Sequence, residues 1–231
     1  MNRILLYIHY NKFDEMSEHV LYQLEKIKPL FSRVILLSNS HLEKNYMRKL
    51  EMIGITEIIQ RANIGFDFAA WRDGMEYVGF DHLEKYDSVT LMNDTCIGPL
   101  WPLEPYFRSF ESAIDCDFWG MTNFKKTKYF REHVQSYFVS YSREVVSSKV
   151  FKSFWMNVKS YDNVRQVIDN YETKFTSELK KTGFNYQVVF NTLGEKSDDM
   201  LHPDFSYYRP FDILNHRVPF LKLKALQSHQ E

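Results

Sequence analysis

The sequence is poor in cysteine and has no long apolar run. Its two cysteines, Cys96 and Cys116, are too few for a disulfide scaffold, which predicts reduced thiols and a cytoplasmic location. A helix that crosses a bilayer needs ~20 predominantly apolar residues, and no run in the sequence approaches that length. Residues 1–9 become polar too soon for a secretory signal peptide. We therefore expect neither a membrane-spanning protein nor a disulfide-rich secreted one.

The sequence also lacks an excess of charge of either sign. It has 29 Lys and Arg residues against 30 Asp and Glu residues, for a net charge of −1. Proteins that bind nucleic acid carry a basic footprint, so no nucleic-acid partner is predicted. There is no linker, internal repeat or low-complexity tract, and 231 residues are enough for one large core. These features predict a single domain over residues 1–231.

Aromatic residues, in contrast, make up 16% of the chain. They could form stacking surfaces for a base or a sugar, or they could fill the core. Core packing is favoured, because aromatic side chains dominate protein interiors in general.

Strand and helix patterns alternate through the first 60 residues. Residues 4–8 and 34–37 are short apolar runs, which are typical of strands covered on both faces, and residues 55–59 are a third short predicted strand. Between them, apolar residues recur at helical spacing over 13–27 and 42–53. The order strand, helix, strand, helix, strand predicts a Rossmann-like α/β fold with a mostly parallel sheet flanked by helices.

A turn that leads into a helix follows the third predicted strand. Gly65 can adopt a positive φ, Asp67 can cap the helix, and Arg72 lies on its polar side. The N-terminus of a helix offers free N–H groups and the positive end of the dipole, which attract phosphate or carboxylate. We therefore expect Asn63, Gly65, Asp67 and Arg72 to contact an anionic substrate. The alternative for Asp67 is a cap with no other role.

Polar side chains follow two of the predicted strands. Asn93, Asp94 and Thr95 come directly after the apolar run 89–92, and His9 and Tyr10 follow the first strand. In open α/β sheets, ligands bind beyond the carboxyl ends of the strands. This edge is therefore the predicted donor-substrate site, with His9 and Tyr10 against a nucleotide base. A turn with a stacked tyrosine is the equal alternative for His9 and Tyr10.

A basic and aromatic loop follows a predicted strand at 115–122. It contains Lys125, Lys126, Lys128 and Arg131, interleaved with Phe124, Tyr129 and Phe130. Such a loop can contact an acidic bilayer or a lipid-linked pyrophosphate. A solvated loop is slightly favoured over this interpretation, and peripheral contact with the inner face of the cell membrane is left open.

The second half of the chain supplies further candidates. Gln135 and Tyr137 lie in a predicted strand over 133–141 and can line a polar cleft. Glu172 lies at the edge of the apolar stripe of a long predicted helix over 164–179. A carboxylate there is partly desolvated and suits a general base, although a salt bridge at a helix border is commoner.

Four sequence motifs resemble those of one glycosyltransferase family. The motifs are Asn63-x-Gly65-x-Asp67, Asn93-Asp94, Asp117-Phe118-Trp119-Gly120 and Pro219-Phe220-Leu221-Lys222. In this order they are similar to the rhamnan synthesis F family, and the resemblance covers nearly the whole chain. It implies a GT-A-like nucleotide-sugar transferase that builds cell-surface polysaccharide. The implied donor is dTDP-L-rhamnose, used with inversion, or another dTDP- or UDP-linked deoxy or furanose sugar.

The resemblance also implies roles for individual residues. Residues 1–100 would form the donor half and residues 101–231 the acceptor half. The usual Asp-x-Asp metal motif is replaced by Asn93-Asp94-Thr95, which leaves Asp94 as the one carboxylate for Mg²⁺ or Mn²⁺. Lys222 would join the donor-binding residues.

The implied acceptor is a glycan or a lipid-pyrophosphate-linked sugar. Trp119, Gln135 and Tyr137 are the candidate residues for binding it. Asp117 and Glu172 are the candidate general bases, and Asp117 is favoured because it borders a strand in a family motif.

Two other classes of function are alternatives to a transferase. A non-catalytic carbohydrate-binding module would share the aromatic residues but would have no nucleotide site. A metal-dependent hydrolase is disfavoured, because the eight histidines form no HExxH motif or closely spaced ligand pair.

Overall fold

The computed structural model describes residues 1–228. The strands in this range are β1 (Arg3–His9), β2 (Arg33–Ser38), β3 (Glu57–Gln60), β4 (Ser88–Asn93), β5 (Cys96–Ile97), β6 (Phe118–Phe124), β7 (His133–Val134), β8 (Phe138–Ser142), β9 (Tyr186–Phe190) and β10 (Leu221–Lys222). The helices are α1 (Glu18–Ile27), α2 (Lys44–Met52), α3 (Phe66–Val78), α4 (Phe80–Leu83), α5 (Glu104–Glu111), α6 (Arg143–Ser147), α7 (Lys149–Met156), α8 (Val164–Val167), α9 (Thr173–Lys181), α10 (Phe205–Tyr208), α11 (Pro210–Asn215) and α12 (Leu223–Ser228). A 3-10 turn spans Lys28–Leu30, and a π-helical turn spans Ile168–Glu172.

The main sheet has the strand order β3-β2-β1-β4-β8-β6, and both β7 and β9 also pair with β6. Strands β1 to β4 are parallel to one another, β8 is antiparallel to β4 and β6, and β9 is parallel to β6. The predicted α/β class with a mostly parallel sheet flanked by helices is confirmed. Because β8 runs in reverse, its first residue lies at the same edge as the carboxyl ends of β1 and β4.

The sheet is buried on both faces. Along β1, Ile4, Leu6 and Ile8 join one hydrophobic core, and Leu5 and Tyr7 join the other. This division follows from the two-residue period of a strand, which points successive side chains to opposite faces. A continuous apolar run therefore marks a strand with a core on each side.

Helices cover the two faces with aromatic side chains. Trp71 of α3, Trp155 of α7 and Phe175 of α9 pack together on one face, where the Trp155 and Phe175 ring centroids are 5.6 Å apart. Leu24 of α1 and Phe107 of α5 belong to the core on the other face. The favoured interpretation of the aromatic residues as core is correct for these. Within residues 1–228, no helix is both long and apolar enough to cross a bilayer.

Two elements differ from the sequence prediction. The helix expected over 164–179 is interrupted by the π-helical turn that ends at Glu172. The strand expected over 133–141 is divided into β7 and β8, and residues 135–137 lie between them. Both interruptions direct polar side chains to the carboxyl edge of the sheet.

The C-terminal segment returns to that same edge. Strand β10 pairs antiparallel with β5, and Lys222 lies opposite Cys96. The Leu223 N–H donates to the Thr95 carbonyl at 3.0 Å. These bonds hold Lys222 beside the turn that follows β4.

Candidate active site

A cavity of about 600 Å³ opens at the carboxyl edge of the sheet. Its wall is built from the ends of β1 and β4, the first turn of α3, residues 135–137, the π-helical turn, β10 and α12. The side chains that matter most for its chemistry are Tyr10, Asp67, Asp94, Ser136, Glu172 and Lys222. Segments from both halves of the chain therefore meet in one site.

Asp94 is held in place by the end of β1. Its Oδ2 atom lies 2.8 Å from His9 Nδ1 and accepts the Tyr10 N–H at 2.9 Å. His9 is 1% exposed, and its other ring nitrogen lies 3.1 Å from the Glu15 carbonyl. His9 therefore orients Asp94, whereas the Tyr10 side chain is exposed on the cavity wall.

Asn93 connects β4 to α3. Its Nδ2 donates to Asp67 Oδ2 at 2.8 Å, and its Oδ1 accepts the Thr95 hydroxyl at 2.6 Å and the Thr95 N–H at 3.2 Å. Asn93 is buried, and both the Nδ2 and the Oδ1 atom of its amide hydrogen-bond within this wall. Asn93 and Thr95 thus shape the turn around Asp94.

Asp67 is a carboxyl group with an unusual environment. Burial raises the pKa of Asp67 to about 7, the charges of Asp94 and Glu172 add to the rise, and the hydrogen bond from Asn93 opposes it. Two carboxylates in one cavity disfavour ionisation of a third. Asp67 therefore titrates near neutral pH.

Glu172 occupies the last position of the π-helical turn. Its Oε1 accepts the Ser136 hydroxyl at 2.6 Å and the Ser136 N–H at 3.4 Å. Oε2 makes no hydrogen bond with the residues that the structure describes. Single π-helical turns are frequent at functional sites because they displace one side chain from the regular helical face. Here the displaced carboxylate faces the cavity.

Lys222 reaches the cavity from β10. Its Nζ lies 3.3 Å from Asp204 Oδ2 and 5.7 Å from the centre of the Tyr137 ring. Burial lowers the pKa of Lys222, but the charges of Asp204 and Cys96 outweigh it and the pKa is raised overall. Burial raises the pKa of Asp204, but the charge of Lys222 and the hydrogen bonds from Ser206 and Gln135 outweigh burial. The pKa of Asp204 is therefore lowered overall. The pair is thus ionised.

Gln135 and Tyr137 line the cavity as predicted, but internal hydrogen bonds occupy their polar atoms. Gln135 accepts the Thr122 hydroxyl at 2.6 Å and donates to Asp204 at 3.0 Å. The Tyr137 hydroxyl lies 2.9 Å from the Thr122 hydroxyl. These two side chains act mainly as wall and support.

The turn before α3 is not part of the cavity wall. Asn63 accepts a hydrogen bond from Asn39, and Arg72 donates to the Asp73 carboxylate and to the Val158 carbonyl. Gly65 has a φ of 75° and is itself the N-cap, so the expected positive φ is correct but the expected Asp67 cap is wrong. Of the candidate residues in this motif, Asp67 lines the cavity.

Asp117 and Trp119 are also outside the cavity. Asp117 precedes β6 and accepts the Asn185 N–H at 2.7 Å, so it lies at the amino edge of the sheet. At ~3.3 Å per residue, the seven residues of β6 separate that edge from the carboxyl edge by roughly 20 Å. Trp119 is buried against Phe110, with ring centroids 4.7 Å apart. Neither the Asp117 carboxylate nor the Trp119 ring therefore lines this cavity.

The carboxylate oxygens of the site determine whether it can hold a metal ion. Among residues 1–228, no group of three or more His, Cys, Asp or Glu side chains is arranged to hold a metal ion. Asp94 uses Oδ2 alone in hydrogen bonds with the described residues, so Oδ1 can accept a cation. Mg²⁺ is commonly held by one or two carboxylates together with water and substrate phosphates. Asp94 fits that role as a single protein ligand.

Three residues of the site were missed from the sequence. Asp204 pairs with Lys222, His19 Nε2 lies 3.3 Å from the Asp94 carbonyl, and Lys224 lines the cavity. The carboxyl-edge rule could not find Asp204 or Lys224, because they lie in a tail without clear periodicity. His19 belongs to the first turn of α1 and has no local signal of function.

Comparisons with known proteins place the chain in a family. A 178-residue segment is 31% identical to the uncharacterized protein y4gN of Sinorhizobium fredii, covering 76% of this chain and 45% of that protein. A 143-residue segment is 29% identical to the virulence protein VirA of Vibrio anguillarum, covering 61% of this chain and 44% of that protein. The matched segments therefore span less than half the length of either relative.

A distant structural similarity accompanies these matches. Glucosyl-3-phosphoglycerate synthase from Mycobacterium tuberculosis aligns with a TM-score of 0.43 and 12% identity, over 62% of this chain and 57% of that chain. A similarity at this level supports no statement about the site. The model of the family described as rhamnan synthesis protein F, in contrast, matches residues 34–231. The chain belongs to the rhamnan synthesis protein F family.

Proposed function

We propose that the chain is a glycosyltransferase that moves a sugar from a nucleoside diphosphate to a glycan acceptor. The observation that carries this proposal is the cavity at the carboxyl edge, where Tyr10, Asp94, Glu172 and Lys222 converge from distant parts of the chain. Family membership favours L-rhamnose from a dTDP donor, with a UDP-linked or related deoxy or furanose sugar as the variant. The acceptor would be a growing cell-surface polysaccharide or a lipid-pyrophosphate-linked sugar.

The donor diphosphate would lie between Asp94 and the two lysines of the cavity. Lys222 and Lys224 supply positive charge, and the exposed ring of Tyr10 offers a surface for the base. A Mg²⁺ or Mn²⁺ ion bound to Asp94 would neutralise charge on the diphosphate. In this proposal residues 1–100 form most of the donor half, and Lys222 joins it from the acceptor half, residues 101–231.

Glu172 is the proposed general base. Ser136 orients one of its oxygens, and the other takes the proton of the acceptor hydroxyl. As that proton leaves, the acceptor oxygen bonds to the anomeric carbon and the bond from this carbon to the diphosphate breaks. Attack opposite the leaving group inverts the anomeric configuration, which is what the family implies for rhamnose.

The test is a thermal-shift panel of the purified chain. It uses dTDP, UDP, dTDP-rhamnose and UDP-sugars, each with Mn²⁺, Mg²⁺ or EDTA. A glycosyltransferase is expected to be stabilised by its nucleotide, because a ligand that binds only the folded state raises the melting temperature. The dependence on metal reports the role of Asp94.

A non-catalytic carbohydrate-binding module predicts the opposite pattern. Free oligosaccharides would then raise the melting temperature, and none of the nucleotides would. That result would overturn the proposed function. Release of nucleoside diphosphate from the stabilising donor in the presence of acceptor would establish the reaction.

A further inference from the structure

One surface of the protein concentrates positive charge. The basic face consists of residues 125–132 together with α9, and it contains seven Lys or Arg residues and two Glu residues. The whole chain, in contrast, has a net charge of −1. Lys126, Arg131, Lys180 and Lys181 line one open depression on this face. The loop and the helix therefore form one continuous cationic surface.

Most cations of the basic face lack an ion-pair partner among the residues that the structure describes. Lys180 pairs with Glu132 at 2.7 Å. Lys126, Lys128, Arg131 and Lys181 form no ion pair with any residue that the structure describes. Like charges held close together repel one another, and a surface that collects them attracts an anion from outside.

Exposed apolar side chains border this charge. Tyr129 is 73% exposed in the loop itself, Leu201 is 81% exposed and Val164 is 52% exposed. Phe130 of the loop connects them, because its ring lies 4.9 Å from the guanidinium of Arg165 and 6.4 Å from the ring of His202. Arg165 and His202 are the chain neighbours of Val164 and Leu201. Unpaired cations and exposed apolar groups thus share one face.

The basic face also borders the cavity. Val164 lines the cavity together with Val167 and Ile168, and it lies next to the arginine that packs on Phe130. An extended anionic surface in contact with the basic face would therefore lie beside the mouth of the cavity.

We propose that the basic face docks the protein on a bilayer that contains anionic lipid. Lys and Arg side chains would contact the lipid phosphates, and Tyr129, Leu201 and Val164 would enter the headgroup region. Proteins that bind membrane surfaces commonly combine cationic and apolar side chains in this way. Single-stranded nucleic acid fits less well, because aliphatic side chains cannot stack on bases. The inference deepens the proposed function, since the docked protein would hold its cavity at the surface where lipid-linked acceptors reside.

The experiment is co-sedimentation of the full chain with vesicles. Vesicles of phosphatidylcholine with about 30% phosphatidylglycerol are compared with pure phosphatidylcholine, at low and at high salt. Binding is expected only to the anionic vesicles and is expected to weaken as salt rises. Equal binding to both vesicles, or to neither, would overturn the proposal. So would a higher affinity for a single-stranded oligonucleotide than for the anionic vesicles.

A matched pair of variants locates the surface. One triple variant, Lys126→Gln/Arg131→Gln/Lys181→Gln, removes three charges from the basic face. Each cation near an anionic membrane contributes about fivefold in affinity, so this variant is expected to bind the anionic vesicles roughly a hundredfold more weakly. The control Lys44→Gln/Arg48→Gln/Lys85→Gln removes three exposed charges elsewhere and is expected to bind like the parent. Equal losses in the two triple variants would show that only overall charge matters and would overturn the assignment.

The nucleotide panel distinguishes the two proposals. The basic-face variant is expected to keep its nucleotide-dependent thermal shift, because none of its three residues lines the cavity. A nucleotide shift without vesicle binding would reject only the membrane surface. Vesicle binding without any nucleotide shift would reject the proposed function and leave the docking surface in place.

Discussion

Asn93 donates a hydrogen bond to Asp67 across 2.8 Å, and this bond joins the end of β4 to the first turn of α3. An amide donor can serve a carboxyl group in either protonation state, so the contact survives when Asp67 gains or loses its proton. The consequence is a half-buried carboxyl group that stays fixed in position while its charge changes near neutral pH. Asp67 is therefore the natural place to measure the electrostatics of the cavity.

Asp67→Asn is expected to make stability less dependent on pH. The pKa of Asp67 is about 7 in the folded state against an ordinary value of 3.8, so the folded protein keeps a proton that the unfolded chain loses. The stability of the parent should thus fall as pH rises from about 4 to about 7, and the Asn variant should escape that loss. At pH 8 the variant should be more stable, by an amount on the order of 2–4 kcal/mol.

Thermal melts between pH 4.5 and pH 8 measure this effect. Asp115→Asn is the matched control, because that aspartate is exposed and its carboxylate has no hydrogen bond among residues 1–228. The difference in melting temperature between Asp115→Asn and the parent should stay small at every pH. A constant difference between Asp67→Asn and the parent across the range would contradict the pKa assignment.

Asp94→Asn is expected to lower donor turnover about a hundredfold or more, the usual effect of losing one charge-stabilising group. The amide still offers an oxygen to the Tyr10 N–H, so the fold should persist. Release of nucleoside diphosphate measures turnover, and a thermal melt checks folding. A folded variant with the turnover of the parent would remove Asp94 from the donor site.

Much of the fold was visible in the sequence because buried parallel strands have a local signature. The runs at 4–8, 34–37 and 89–92 correspond to β1, β2 and β4. The division between β7 and β8 was not visible. It depends on non-local bonds, such as that between Thr122 and Gln135, which no local pattern can reveal.

The site was predictable to the extent that the carboxyl-edge rule applies. The rule correctly selected the turn at residues 93–95 and Tyr10 as cavity residues. Asp117 was selected from a family motif and not from this rule, and it precedes its strand at the opposite edge of the sheet. Asp204 could not be predicted from the sequence, since its role arises from contacts with Lys222 and Gln135 that form only in the folded chain.

Gly65→Ala is expected to destabilise the protein more than Gly183→Ala. Both glycines have positive φ, 75° and 96°, so both substitutions carry a backbone penalty of ~1–2 kcal/mol. At Gly65 the new Cβ would also collide with Ala69 and lie 2.8 Å from Ser160 Cα, whereas at Gly183 it meets nothing within 4 Å. The crowding should add about 1–3 kcal/mol. Urea denaturation measures the free energy of unfolding of both variants. Equal losses of that free energy would mean that the turn at Gly65 relaxes around the new Cβ at no cost.

Glu172→Gln and Asp117→Asn distinguish the two candidate bases. A general base acts only in the chemical step, so its loss should lower turnover by about 10²–10⁴ and leave donor affinity nearly unchanged. We expect that result for Glu172→Gln, because Gln keeps an oxygen for the Ser136 hydroxyl but cannot take a proton. Asp117→Asn should keep the turnover of the parent, since its carboxylate lies at the amino edge of the sheet and accepts the Asn185 N–H.

The measurement for these two variants is donor turnover and donor affinity, with a thermal melt for each. A folded Asp117→Asn variant without turnover would show that the acceptor approaches from the opposite edge, and it would reverse the assignment. If Glu172→Gln instead loses donor affinity, its carboxylate binds the sugar and does not act as the base. Asp67 would then be the remaining carboxyl group of the cavity whose pKa, at about 7, suits proton transfer at neutral pH.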